Sequence, residues 1–304
     1  MNGGTSVSAA TPQHIRGKVS AKSLAIDLLS TMPSHHPVAV AALLRAAAVF
    51  GIGENSMRVT LARLRSRGMV ESDQRGLYRL SRAALPVNRE VRSWSTIETK
   101  VLSWDGSFIG SDTGGLSTRD RKGSRVRVRA LAFLGFESLT PTLRIRPNNL
   151  VGGVASCRER LIALGFSPVP FVFKLAEFDE STDRRARALW NTGKLEADYH
   201  ATCDRLARST KRLPSLETKA AMAESFQLGG AAMRQIVLDP LLPEEIIDVE
   251  ARSAMFNAMR RYDDVGRSYW KQWTGAAIEL EQSPVDLGIF GPVSTLPSLI
   301  SERS

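Results

Sequence analysis

A short break at residues 51–53 (Gly-Ile-Gly) separates two helix-forming segments, and it constrains the fold of this chain more than any other feature. Residues 38–50 are rich in Ala and Leu, which predicts a helix. Residues 54–56 (Glu-Asn-Ser) supply acidic and capping side chains, and Gly68 supplies a stop, so a further helix is predicted over residues 56–67. Two helices joined by so short a break are typical of a helix-turn-helix.

The predicted helix over residues 56–67 has two rows of side chains with different chemistry. Met57, Leu61 and Leu64 form an apolar row that must face other helices. We expect the opposite row to carry hydroxyls and arginines, with more arginines on its flanks. The row is Ser56, Thr60, Arg63 and Arg67, and the flanking residues are Arg58 and Arg65. Such a face suits a DNA major groove, whereas an ordinary solvated basic face is the alternative.

Two short apolar runs follow this helix and predict a hairpin. Residues 69–71 and 77–80 have the composition of strands, and a turn-rich loop joins them. An earlier helix begins near residue 20, with leucines at three- and four-residue spacing. Three helices and a hairpin predict a winged helix-turn-helix over residues 20–82, in which Arg75 at the tip reaches phosphate or a narrow minor groove.

The positive charge of the chain is concentrated in its first half. The 304 residues include 41 Lys and Arg against 31 Asp and Glu, a net charge of +10. Residues 1–140 hold 20 basic and 10 acidic residues, whereas residues 141–304 hold 21 of each. The first half therefore suits a polyanion, of which nucleic acid is the commonest, although an anionic membrane or simple solubility would also account for it.

Strand and helix patterns alternate in the middle of the chain. They predict an α+β ferredoxin-like unit over residues 100–180, of a kind that often pairs through its sheet, so we expect a homodimer. A basic run in this region suits either a second phosphate-contacting surface or a solvated helix. The solvated helix is favoured, because alternate residues spread around a helix. The run consists of Arg119, Arg121, Lys122, Arg125, Arg127 and Arg129.

The remainder is predicted to be mostly helical over residues 182–274, with a flexible arm at 1–19, a polar linker at 81–100 and a loose tail at 275–304. Large apolar residues in the helical region suit either an effector pocket or an ordinary helical core, and the core is favoured. They are Trp190, Trp270, Trp273, Met222, Met233, Met255 and Met259. No effector-binding residue can be assigned from these patterns.

Catalytic and targeting motifs are not found in the sequence. It has no nucleophile elbow, phosphate loop or HExxH helix, and its two cysteines are too few for a disulfide framework or a zinc site. We therefore expect a cytoplasmic protein that is not an enzyme and has neither metal nor cofactor. His35-His36 is interpreted as a loop. One alternative function is enzymatic, a metal-dependent nuclease that uses Asp105 and Asp112. A second alternative is an architectural DNA-binding protein that responds to no effector.

Several segments, in order, resemble the PaaX family of bacterial repressors. Residues 57–64 (MRVTLARL) with 68–70 are similar to its recognition helix, and residues 129–141 with 145–147 resemble its middle domain. Residues 239–245 (DPLLPEE), preceded by Leu189-Trp190 and Tyr199, are similar to its C-terminal motif. The chain departs from the family pattern at Arg144 and over residues 232–234 and 247–250.

The resemblance implies a fold and a function. The middle domain is expected to be Cas2-like, and the first domain to bind an operator in double-stranded DNA through Ser56, Arg58, Thr60, Arg63, Arg67 and Arg75. It also implies repression of an aromatic-compound catabolic operon, relieved by a small effector such as an aryl-acyl-CoA thioester. Under this interpretation the C-terminal region is where the effector is expected to bind.

Overall fold

The computed structural model describes residues 19–31, 37–73, 75–116, 120–168 and 170–275. The predicted arm up to residue 18, the His35-His36 pair, Arg119 and the tail beyond residue 275 lie outside these residues. What is described is a mixed α+β protein, as predicted, with two small antiparallel sheets and a helical C-terminal region. None of its described helices is long and apolar enough to cross a membrane.

The first unit combines three helices with a three-stranded antiparallel sheet. The order of the strands is β1-β3-β2, and Val38 and Ala39 of β1 pair with Tyr78 and Leu77 of β3. The sequence had predicted helix at Val38 and Ala39, but pairing with β3 holds them extended. The elements are α1 (Ala21–Thr31), β1 (Val38–Ala39), α2 (Val40–Val49), α3 (Glu54–Ser66), β2 (Val70–Ser72) and β3 (Leu77–Leu80).

The segment predicted as a polar linker is largely helical instead. It forms a 3-10 turn (Arg82–Ala84), α4 (Leu85–Arg92) and a 3-10 helix (Ser93–Lys100). This segment is polar in overall composition, but its apolar residues recur at every third position and are buried. That spacing favours a helix. These buried residues are Val91, Trp94 and Ile97. A salt bridge of 2.7 Å from Glu98 to Arg260 also ties this segment to the C-terminal helices.

The middle unit follows the order β-α-β-β-α-β. Its sheet is antiparallel with strand order β5-β6-β4-β7. Residues 137–147 form two strands and not one, because Thr140 lies in a turn in which its hydroxyl accepts from the Leu143 amide at 3.0 Å. The elements are β4 (Phe108–Asp112), α5 (Arg121–Phe133), β5 (Glu137–Ser138), β6 (Leu143–Pro147), α6 (Gly153–Ala163) and β7 (Phe171–Leu175).

Four helices form the C-terminal region, and its methionines are core residues. Met222, Met233, Met255 and Met259 are fully or almost fully buried, so they do not line an open pocket. The side chain of Trp273 lies outside the described part of the chain. The last helix begins at residue 249, where the Asp248 carboxylate accepts from two backbone amides. The helices are α7 (Glu180–Arg187), α8 (Thr192–Arg212), α9 (Thr218–Val237) and α10 (Val249–Gly275).

Buried polar contacts join the middle unit to the segment between α9 and α10. The Arg146 guanidinium donates to the carbonyls of Leu134 at 2.5 Å and Pro240 at 3.3 Å. The Asn149 amide donates to the Leu241 carbonyl at 2.7 Å. Burial lowers the pKa of Arg146 to about 10, so it stays protonated near neutral pH. Fixed carbonyl dipoles therefore solvate a buried cation at this junction.

Asp239 is also held inside this junction. The Tyr199 hydroxyl donates to its carboxylate at 2.5 Å, and the Leu241 amide donates at 2.8 Å. Burial raises the pKa of Asp239 and also that of Tyr199, so Tyr199 remains a donor. Residues 239–245, which are similar to the C-terminal motif of the PaaX family, thus connect α8 to the middle unit through buried hydrogen bonds.

Gly135 supplies a specific test of this junction. Its φ is +77°, and a Cβ added there would lie 2.9 Å from Pro240 Cα. Gly106 has a similar φ of +80° with no atom within 4 Å of an added Cβ. We expect Gly106→Ala to lose about 1–2 kcal/mol of unfolding free energy from left-handed backbone strain. Gly135→Ala should lose about 1–3 kcal/mol more, because Pro240 must move.

Urea denaturation of both variants measures this difference. Equal losses for Gly135→Ala and Gly106→Ala would show that the close packing of Pro240 on Gly135 contributes nothing to stability.

Candidate nucleic-acid interface

The orientation of α3 is fixed by its apolar row. Met57, Leu61 and Leu64 are buried, and α3 packs against α1 and α2. The polar residues predicted for DNA contact differ in exposure. Thr60 is half-buried, while the other four on this helix segment are exposed: Ser56, Arg58, Arg63 and Arg67.

The sequence analysis predicted that one polar row would lie opposite the buried row, but the structure does not place it there. This row is Ser56, Thr60, Arg63 and Arg67. At about 100° per residue its centre lies roughly a right angle away from the buried row, which explains why Thr60 is half-buried. The fully outward strip consists instead of smaller side chains. They are Asn55, Val59, Ala62 and Ser66, all exposed. The sequence analysis missed this strip because its short, uncharged side chains form no charge pattern.

Arginines flank the outward strip on both sides. Arg63 and Arg67 lie on one side, and Arg58 and Arg65 lie on the other. Arg65 donates to the Ser72 hydroxyl of β2 at 3.1 Å, and Arg58 lies 3.8 Å from Glu54. Both contacts are exposed, and the ion pair of Arg58 with Glu54 is weak, so both arginines are available to another anion.

A further cation from α1 lies near the end of α3. Burial lowers the pKa of Lys22, and the positive charge of Arg67 lowers it further. Two neighbouring positive charges repel one another, and an anion bound near both would offset this repulsion. Lys22 is thus a half-buried cation near Arg67 that the sequence analysis did not select.

Arg75 lies in the turn between β2 and β3, and its side chain is exposed. The turn is built by Asp73, whose carboxylate accepts from the backbone amides of Arg75 at 2.9 Å and Leu77 at 3.0 Å. Gly76 follows with a φ of +73°, which glycine adopts without strain. A cross-strand pair of 3.1 Å between Arg79 and Glu71 steadies the hairpin below the tip.

A cavity of about 510 Å³ opens in the angle between α2 and the start of α3. Arg45 and Arg58 contribute the cations of its lining, and Glu54 contributes a carboxylate. Its remaining lining is small and apolar: Val40, Ala41, Leu44, Ala48, Ile52 and Gly53. Arg45, which is exposed on α2, is a second basic residue that the sequence analysis did not single out.

The first unit also contacts the C-terminal helices through aromatic rings. Phe50, the residue that ends α2, meets Phe226 of α9 edge-on at 5.0 Å between ring centroids. It also stacks at 6.3 Å with Trp270 of α10. Phe50 directly precedes the break that leads into α3, so this contact lies at the base of the helix-turn-helix.

The carboxylates considered for a nuclease lie at opposite ends of β4. Asp105 precedes the strand and is hydrogen-bonded to Ser107 and to Lys174. Asp112 is the last residue of the strand. At about 3.3 Å per residue the strand is about 13 Å long, and it separates the two carboxylates. Within the described residues no group of three or more His, Cys, Asp or Glu side chains is placed to hold a metal ion.

Comparison with known proteins gives two family matches and a similar fold. No curated protein matches the chain. Among solved structures, an uncharacterized protein, Rv0674 from Mycobacterium tuberculosis, is 21% identical with a TM-score of 0.55. The match covers 85% of this chain and 99% of that one, which shows a shared fold.

The family matches lie near both ends of the chain. The model of the PaaX-like protein matches residues 20–84, which contain α1 to β3. The model of the PaaX-like protein C-terminal domain matches residues 190–272, which contain α8, α9 and most of α10. Together they show that this chain is similar to the PaaX-like proteins in both its N-terminal and its C-terminal region, as its sequence predicted.

Proposed function

We propose that the protein is a DNA-binding transcriptional regulator whose first unit is a winged helix-turn-helix. The observation that carries this proposal is the surface of α3, where a strip of small side chains is flanked by arginines on both sides. Short side chains allow the helix axis to approach base edges, while the longer flanking arginines reach sideways, Arg63 to a base edge and the others to phosphates. The matches to PaaX-like proteins and the net positive charge of residues 1–140 support the same function.

In this proposal α3 is the recognition helix and lies in the major groove. Ser56 and Arg63 face base edges together with Asn55, whose amide suits adenine. Arg58, Arg67 and Lys22 bind phosphates. Thr60 contributes from the half-buried edge, and Arg75 at the wing tip contacts the backbone or a narrow minor groove.

The middle unit, which we interpret as ferredoxin-like and similar to Cas2, is proposed to form a homodimer. Two recognition helices related by a twofold axis require an operator with two half-sites one or more helical turns apart. The spacing between the helices then becomes part of the specificity of binding. We expect such a regulator to act in the cytoplasm, where bacterial DNA lies.

We further propose that the protein represses an aromatic-compound catabolic operon and is released by a small effector, an aryl-acyl-CoA thioester being the leading class. An effector that binds better to a dimer with mis-spaced helices lowers operator affinity by its differential binding free energy. The contact of Phe50 with Phe226 and Trp270 offers a direct path from the C-terminal helices to the base of α3. This role requires no catalytic residue.

The first prediction from this proposal separates base contact from phosphate contact. After selection of a preferred duplex from a random library, Arg63→Ala should lose about 1–3 kcal/mol of discrimination between that duplex and a scrambled one. Arg75→Ala should weaken binding to both and reduce the salt-dependence slope by about 1. Fluorescence anisotropy over a salt series measures both quantities.

Arg208→Ala is the matched control, since Arg208 is exposed on α8 in the neutral half of the chain. It should leave affinity, discrimination and slope unchanged. If Arg63→Ala and Arg75→Ala both behave like Arg208→Ala, neither α3 nor the wing binds DNA.

The second prediction concerns the effector. Phenylacetyl-CoA, as a representative thioester, should raise the unfolding temperature of the protein by mass action, whereas phenylacetate and CoA alone should not. It should also weaken binding to the selected duplex by about 5–150-fold. A thermal shift with unchanged DNA affinity would contradict relief of repression by this class of ligand.

The third prediction concerns coupling through the aromatic contact. Phe226→Leu nearly conserves volume and should cost less than about 1.5 kcal/mol of stability, but it removes the ring that meets Phe50. Binding of phenylacetyl-CoA should persist while its effect on DNA affinity decreases towards none. Phe171→Leu, at a phenylalanine that is 68% exposed, is the control and should retain the full effect. Undiminished coupling in Phe226→Leu would exclude this path.

A further inference from the structure

The basic run on α5 is more ordered in the structure than its sequence indicates. Arg127 belongs to the run but is buried, which is contrary to the prediction of a solvated residue. Its guanidinium donates to the Asp120 carboxylate at 3.2 Å and to the Ser167 carbonyl at 3.0 Å. Asp120 also caps α5 by accepting from the Gly123 amide, which is the main reason its pKa is lowered. Arg127 is thus an internal, charge-balanced residue.

With Arg127 turned inward, the remaining described cations fall on one side of α5. Arg121, Arg125 and Arg129 follow at four-residue spacing, and Lys122 lies beside them. At about 100° per residue all four lie within an arc of about 100°. Their Cα atoms extend over about 12 Å of helix, at about 1.5 Å per residue. We call these four residues the α5 stripe.

The α5 stripe is accessible, and two of its charges are not neutralised by the described part of the protein. Arg121, Lys122 and Arg125 are exposed, and Arg129 is half-buried. Within the described part of the chain, Arg121 and Arg125 have no ion-pair partner. Two exposed guanidinium groups one helical turn apart suit two anionic groups on a single extended partner.

We infer that the α5 stripe binds the phosphate backbone of duplex DNA outside the contacts of α3. This inference extends the proposed function, since it gives the middle unit a direct role in DNA binding. Three of the four cations are arginines, whose planar donors bind phosphate oxygens in pairs. A membrane surface fits less well, because an interfacial helix needs large apolar residues beside its cations. Leu131 and Phe133 of α5 are buried inside the unit, and Val128, which is 48% exposed, adds only one medium-sized apolar side chain to the outer surface of the helix.

Salt dependence of DNA binding tests this inference. Arg121→Gln/Arg125→Gln removes two cations without changing helix propensity appreciably. Its slope of log affinity against log salt concentration should fall by about 2, at about 0.9 per phosphate contact, on both the selected and a random duplex. Arg121→Lys/Arg125→Lys keeps both charges and should retain most of the wild-type slope. The fold is checked by an unchanged unfolding midpoint.

Arg208→Gln/Lys211→Gln is the matched control, because it removes two exposed cations from α8. Its slope should equal that of the wild type. The inference is overturned if the α5 double variant also keeps the wild-type slope, or if it loses binding only to anionic lipid vesicles or single-stranded RNA.

The outcome is separable from that of the proposed function. If Arg63→Ala has no effect while the α5 double variant lowers the slope on random duplex, the stripe binds DNA and the assignment of α3 is wrong. If Arg63→Ala loses discrimination while the α5 variant changes nothing, the assignment of α3 holds and the stripe is only a solvated surface.

Discussion

The burial of Met57, Leu61 and Leu64 is the interaction on which the candidate site depends. Each buried side chain contributes about 1.5–3 kcal/mol, whereas an exposed pair such as Arg58 with Glu54 contributes about 0–1 kcal/mol. Apolar burial therefore determines the rotation of α3, and the arginines take the positions that remain. With the helix held in this way, small side chains point outward and cations lie on either side.

The two halves of the chain divide the work between charge and packing. The first half presents cations on α3, at the hairpin tip and on α5, whereas the neutral half surrounds a core of methionines and aromatic rings. Two of the contacts that join them differ in their chemistry. Buried carbonyls around Arg146 hold the middle unit to the segment before α10, and rings around Phe50 hold the first unit to α9. The proposed regulator would transmit a change in the C-terminal helices through the second of these.

Local patterns predicted most elements of the fold, because amphipathic spacing and turn residues act over a few positions. The similarity to PaaX-like proteins was also predicted correctly from the order of the motifs. Long-range pairing was not predictable in the same way. Pairing with β3 holds β1 extended, and the buried Arg127 donates to the carbonyl of Ser167, far along the chain. The outward strip of α3 was missed for a different reason. Its small side chains have no distinctive chemistry, so they can be recognised as a surface only when the rotation of the helix is known from the buried row.

Directed cleavage of DNA tests the central claim that the outward surface of α3 faces base pairs. An iron chelate attached at Asn55→Cys, an exposed residue of the outward strip at the start of α3, should cleave the selected duplex at positions confined to the major groove of each half-site. The same chelate at Arg208→Cys on α8 should give weak cleavage or none, and it reports any labelling of Cys157 or Cys203. Cleavage that is equally weak from both positions, on a duplex that the protein demonstrably binds, would contradict the account.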